Sequence, residues 1–336
     1  MASEQGSARR QDPYAQIFGK RYSHLGNRGG RHDPHQGTAP PDVVLVWDLD
    51  ETLITFHSLI NGSFAAGASL QVQDTTRELG GRWEHAALDL LDTHFFYDEL
   101  DDHNLEHIGD ADQARGHEQP SFGLSEGLTA HSLPAATWAH VQQRYNGGLA
   151  SLAGPGQAEH WAQLYEATNE LTGGWLQHGA QLLRDCTAVA KAAPAAATQA
   201  ASAGEHAAQR QAPAHVANVL VSAGQLVATL AKLLLFRLDG YFPIENVYSS
   251  AVRGKQQCFA RIQQRFHQAT SFCVIGDSEE EQQAAESQRW HFTRISTAES
   301  CWHAYSRVDM QQPSGPSFCH PLLDVTASNL VTRPQA

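Results

Sequence analysis

The stretch "VVLVWDLDETL", residues 43–53, sets an apolar, β-branched run directly against three acidic side chains, Asp48, Asp50 and Glu51. An apolar run without strict alternation is the mark of a strand buried on both faces, as in a parallel sheet covered by helices. Three more runs share this character: "NVLVS" (218–222), "SFCVI" (271–275) and "HFTRI" (291–295). Helix-like segments, Gln225 to Leu238 and Lys255 to Gln268, lie between them. Strand alternating with helix predicts an α/β fold built on a doubly wound parallel sheet.

About 170 residues separate the first of these strands from the second, far beyond a normal crossover, so a domain is expected to be inserted there. Its sequence reads as helical, for example "RELGGRWEHAALDLLDTHFFYDEL" and "AEHWAQLYEATNELTGGWLQHGAQLLRDCTAVA". The expected layout is a tail over 1–40, a catalytic core over 41–74 and 215–310, a helical cap over 75–214, and a second tail over 311–336. Within the cap, residues 101–132 are polar and Gly-rich, and 192–213 are Ala- and Gln-rich. Both have little to bury and are expected to be loops or low-complexity insertions.

The chain has 336 residues, enough for a substantial core, and its 36 acidic residues outnumber 23 Lys plus Arg, for a formal charge of -13. That balance argues against binding nucleic acid or an anionic membrane directly. Five cysteines are scattered without a C-x-x-C pair, which suits reduced structural thiols rather than a zinc or redox site. The apolar stretch Val219–Phe236 approaches membrane-span length, but Gln225 and Lys232 interrupt it. It reads as a buried strand, a turn and a buried helix. With no secretory signal among the first residues, nucleus or cytoplasm is the expected location.

In an open parallel sheet, ligands lie beyond the carboxyl ends of the strands. The predicted strands deliver Asp48 and Asp50, then Ser222, then Asp277 followed by Glu279, Glu280 and Glu281, with Lys255 opening a helix after Gly254. Two carboxylates about 4 Å apart repel by about 4 kcal/mol at an effective dielectric near 20. A rim of this kind calls for a hard cation such as Mg²⁺, which carboxylates, water and phosphate oxygens hold in common.

Phosphoryl chemistry follows from that. Asp48 would attack phosphorus, and Asp50, two residues on, would protonate the leaving oxygen and then activate water. Ser222 would donate to a phosphate oxygen and Lys255 would offset charge developing there. Asp277 would complete the metal site with Asp48 and Asp50, with Glu281 or Glu280 ligating directly or through water. Each piece alone has a bland reading: a D-x-D is often a turn, a strand-end Ser a cap, and "EEEQQ" a solvated helix start. Trp47, Phe56 and His57, beside the acids, read as packing residues.

The four stations, D-x-D-x-T, Ser222, Lys255 and Gly276-Asp277 with downstream acid, resemble those of the haloacid dehalogenase superfamily. "VWDLDETLITFHSL" resembles the Eyes absent family more closely, and "DTHFFYDELDD", "NVLVSAGQL", "LFRLDGYFPIENVYSS", "GKQQCFARIQQRF" and "CVIGDSEEEQQAA" extend the likeness from about residue 43 to 297. The resemblance implies a haloacid dehalogenase-like core and a Mg²⁺-dependent protein tyrosine phosphatase with Asp48 as nucleophile and Asp50 as acid and base. The backbone carbonyl of Asp50 would then also ligate the metal. It implies a phosphotyrosyl protein substrate and, from the animal members, transcription-factor partners. The short stretch before residue 43 suggests the plant type, without the long transactivation region. Two departures stand out. Ser222-Ala223-Gly224 replaces a threonine run or Thr-Ser-Gly, and Ser278 stands where the family has Gly, so a positive φ there would strain the turn. A phosphatase of small phosphorylated metabolites and a non-enzymatic co-regulator scaffold remain the alternatives.

Overall fold

The computed structural model describes residues 40–100, 104–113, 133–185 and 215–295. The expected tails, the Ala/Gln-rich segment and most of 101–132 lie outside these residues. Five strands form one all-parallel sheet: β1 (Val43–Trp47), β2 (Val216–Ser222), β3 (Val247–Ser249), β4 (Ser271–Gly276) and β5 (His291–Arg294). Their order is β3-β2-β1-β4-β5, so the chain winds outward from β1 in both directions and the topological switch falls between β1 and β4.

Every residue of β1 is buried, because its two faces meet two different cores. Val44 and Val46 join Val219, Val221, Phe259, Ile262 and Val274 on one face. That face is covered by α5 (Lys255–Arg265) and α6 (Glu279–Ser287). Val43, Leu45 and Trp47 point the other way, into a cluster with α4 (Leu226–Leu235) and with the helices between β1 and β2. A period of two along one strand thus feeds two layers, which is why the run carries no alternation in polarity.

The described residues between β1 and β2 are largely helical, with α1 (Leu70–His94), α2 (Leu133–Gly147), α3 (Gln157–Leu171) and a further helix over 175–185. Trp83 of α1 stacks on Phe236 at 4.2 Å between ring centroids, and its indole N–H donates to Thr168 Oγ1 of α3 at 2.8 Å. One continuous apolar cluster therefore runs from the sheet into these helices. Close to its middle, α1 crosses the one-turn helix His57–Ile60 at Gly80, where a Cβ would lie 2.5 Å from the Leu59 carbonyl carbon. Gly81 beside it faces open space. Gly80→Ala is expected to cost about 1–3 kcal/mol by overpacking, whereas Gly81→Ala should add up to about 1 kcal/mol through helix propensity. Urea midpoints of the two variants check this pair.

The apolar stretch 219–236 is β2, a turn and α4, and no helix among the described residues is long and apolar enough to cross a membrane. Sequence periodicity missed β3. It is three residues long and stands between a 3₁₀ turn (Ile244–Asn246) and the Lys255 loop. Its outer edge is closed from the insertion: Ser249 N–H donates to the Glu106 carbonyl at 2.8 Å, and His107 bridges Tyr248 in antiparallel sense. His107 Nδ1 accepts from Gly109 N–H at 3.0 Å and its Nε2 meets the Glu245 carbonyl at 2.7 Å. That pattern defines a neutral imidazole protonated on Nε2, and burial holds its pKa below the ordinary histidine value. Covering the edge this way removes an open template for strand addition.

Candidate active site

At the switch point β1 runs one residue past its pairing, with Asp48 N–H donating to the Ile275 carbonyl at 2.9 Å. This extension sets the Asp48 carboxylate beside the end of β4. Asp277 follows β4 directly, and Glu281 reaches back from the first turn of α6. One oxygen from each of the three lies within 4.8 Å of the others. Asp48 and Glu281 are buried and Asp277 is half-buried.

Lys255 is the cation that faces them. It opens α5 after Gly254, whose φ of 78° turns the chain inward, and it is 4% exposed. Its Nζ donates to Asp48 Oδ1 at 2.7 Å and contacts Glu281 Oε1. Burial pushes the Asp48 carboxyl up to about 6, against the lowering effect of Lys255 and with further raising by Asp50 and Asp277. Burial likewise raises Asp277. Three carboxylates against one ammonium leave a formal excess of two negative charges in a desolvated spot. That excess matches a divalent cation, and the all-oxygen donor set matches Mg²⁺ chemistry.

Glu281 is seated by its neighbours. Its Oε2 accepts from Ser278 N–H at 2.8 Å and from the Ser278 hydroxyl, while Ser278 Oγ accepts from Glu280 N–H, a reciprocal capping box at the start of α6. A Cβ on Gly276 would come within 2.8 Å of the Glu281 side chain, so the glycine at the end of β4 makes room for it. The strain considered for Ser278 does not arise. Its φ is -99°, in the extended region, and the residue is the N-cap of α6. Glu280 is exposed and accepts Lys255 N–H only at 3.5 Å.

Asp50 lies outside the three-carboxylate group. After Leu49 the chain folds into a tight turn in which Leu53 and Ile54 N–H both donate to the Leu49 carbonyl, and Glu51 takes a φ of 59°. The third acid of the opening motif is structural. The Glu51 carboxylate accepts from Phe56 N–H, Ser58 N–H and the Ser58 hydroxyl, fixing the turn into the helix His57–Ile60. Asp50 instead meets Lys232 of α4, whose Nζ donates to both of its carboxylate oxygens at 2.9 Å. Lys232 also sits 4.3 Å from the centroid of the Phe56 ring. The site thus contains a second buried ammonium that sequence reading took for an interruption of an apolar run. A single Lys in the middle of an otherwise apolar helix was the signal available.

Ser222 ends β2 at the same sheet edge and is buried; its Oγ accepts from Gly224 N–H at 3.2 Å. Trp47 is packed, as expected, with its indole N–H on Asn218 Oδ1, and Phe56 is buried against Phe236. His57 is exposed.

The five parallel strands, the switch point and acids delivered by the strand ends define an α/β Rossmannoid core of the haloacid dehalogenase type. No protein-family model matches the chain. Against curated proteins it is 33% identical over 276 residues to protein phosphatase EYA of Arabidopsis thaliana, covering 79% of this chain and 86% of that protein. It is also 30% identical to protein phosphatase eya of Drosophila melanogaster over 323 residues and 32% identical to protein phosphatase EYA2 of Homo sapiens over 277 residues. The chain belongs to the Eyes absent family. It spans 39% of the fly protein and 47% of the human one.

Proposed function

We propose that the chain is a Mg²⁺-dependent protein tyrosine phosphatase working through an aspartyl-phosphate on Asp48. The observation that carries this is the Asp48 carboxylate, buried, hydrogen-bonded to Lys255 and grouped with Asp277 and Glu281 at the switch point of the sheet. The relatives' shared name, protein phosphatase, supports a phosphoprotein as substrate.

Asp48, Asp277 and Glu281, with the Asp50 carbonyl, would hold the cation. When bound, it offsets the acids and lets an anionic phosphate approach a carboxylate. An Asp48 oxygen attacks phosphorus, the bond to the tyrosyl oxygen breaks, and its electron pair leaves on the phenolic oxygen, which takes the proton that Asp50 carries in its carboxylic acid form. Asp50 then takes a proton from water, whose oxygen attacks phosphorus and releases phosphate with Asp48 restored. Lys255 and the Ser222 hydroxyl steady the phosphoryl oxygens.

Steady-state hydrolysis of a phosphotyrosyl peptide tests this reading. Activity is expected with Mg²⁺ and its loss, by at least about a hundredfold, with EDTA. Because protons compete for Asp48, the apparent Mg²⁺ affinity should climb with pH to about 6 and level off above it. Turnover indifferent to chelator, or confined to sugar phosphates, would overturn the proposal.

A further inference from the structure

We propose that Lys232 is a positioning residue that keeps the Asp50 carboxylate out of the cation site, so that the site holds an excess of two negative charges rather than three. This rests on the divalent-cation reading above and concerns a residue that the reaction scheme does not use.

The geometry is specific. Lys232 lies on α4, an element that contributes nothing else to the acid group, and its side chain is 9% exposed. Both Asp50 oxygens are taken by the one ammonium, at 2.9 Å each. The same ammonium lies over the Phe56 ring, 4.3 Å from its centroid, a cation–π contact that favours charge on Lys232 where water is scarce. Phe56 is itself fixed, its N–H bound to the Glu51 carboxylate and its ring edge-on to Phe236. The start of α4 is anchored too, since Leu226 N–H donates to Asn104 Oδ1 at 3.2 Å.

Two ammonium groups thus divide four carboxylates. Lys255 serves Asp48 and Glu281, with Asp277 completing their group, while Lys232 serves Asp50 alone. Asp50 is only two residues from Asp48, close enough that its charge raises the Asp48 carboxyl. Released from Lys232, an Asp50 carboxylate would have the cation as its best available partner. A carboxylate oxygen bound to a divalent cation is far less basic than one that only accepts a hydrogen bond from Lys232, so it would no longer take up the proton that the leaving oxygen needs. Lys232 therefore separates two uses of acids delivered by one short motif: binding the metal and handling protons.

The test is Mn²⁺ binding by calorimetry on the full chain, paired with phosphotyrosyl-peptide kinetics. Lys232→Met is expected to bind Mn²⁺ at least about tenfold more tightly than the wild type while its kcat falls at least about tenfold, opposite directions that a merely structural defect would not produce. Lys232→Arg, which keeps a charged donor fork for Asp50, should move both quantities by less than Lys232→Met does. Asp50→Asn should weaken Mn²⁺ binding, because Lys232 is then left unneutralised, and the double variant Asp50→Asn/Lys232→Met should recover wild-type affinity. That last variant removes both charges, so it also decides the matter if Lys232→Met alone fails to fold. Unchanged or weaker Mn²⁺ binding by a folded Lys232→Met, or a double variant as weak as Asp50→Asn, would overturn the proposal. A wild type that binds no Mn²⁺ would instead remove the cation reading on which it rests.

Discussion

Asp48→Asn is expected to lower kcat for a phosphotyrosyl peptide by about a thousandfold or more, since an amide of the same size cannot attack phosphorus. The same substitution should leave the metal-free protein at least as stable as the wild type. Asp48 is buried and its carboxyl is pushed up to about 6, so the charged form is disfavoured in the fold, and the amide removes that charge while keeping an oxygen to accept from Lys255. Thermal melts beside kinetics separate lost chemistry from lost folding. Thiol alkylation is expected to spare activity. Cys258 and Cys273 are buried, and burial together with Glu106 pushes the Cys258 thiol up to about 12, far from a reactive thiolate. Activity surviving Asp48→Asn, or abolished by alkylation, would point to a different nucleophile.

Lys255→Met carries the second large effect. Its ammonium is the cation in contact with both Asp48 and Glu281, so the variant leaves buried acids facing one another. A loss of about 3–5 kcal/mol is expected in the metal-free protein, with a fall in kcat of about a hundredfold or more. Lys255 is also the strongest influence holding the Asp48 carboxyl down. A carboxyl whose folded pKa lies above its unfolded value loses stability as pH rises between the two, here from about 4 to about 6 in the wild type. Without Lys255 the upper end of that window moves higher. Denaturant melts between pH 4 and 8, with and without Mg²⁺, measure the shift; a variant with wild-type stability at every pH would show that Lys255 does not balance these acids.

Much of this arrangement could be read from the chain. The unalternating runs announced strands with two covered faces, and β1, β2, β4 and β5 are those strands within a residue or two. Asp48, Lys255, Asp277 and Glu281 were recognisable because each stands where a strand ends or a helix begins, and the sheet brings those places to one edge. β3 was not recognisable, since three residues are too few to show a period and its pairing is decided by β2 on one side and by Glu106 and His107 on the other. The polar segment around 104–113, expected to be a loop, packs on that edge through Arg261 and its bonds to Glu106 and Asp110.

The opening motif shows where local pattern stops being sufficient. Three acids within four residues looked alike in sequence, yet Asp48 faces Lys255, Asp50 faces Lys232, and Glu51 binds backbone N–H groups of its own turn. Order and residue type along the chain determined the α/β class and the sheet edge at which Asp48, Asp277, Glu281 and Lys255 gather, because burial period and strand ends are local properties. Which acid meets which cation was decided only by the tertiary structure. That choice depends on a tight turn after Leu49 and on a lysine 182 positions away in sequence from Asp50, on a helix that shares an apolar cluster with β1.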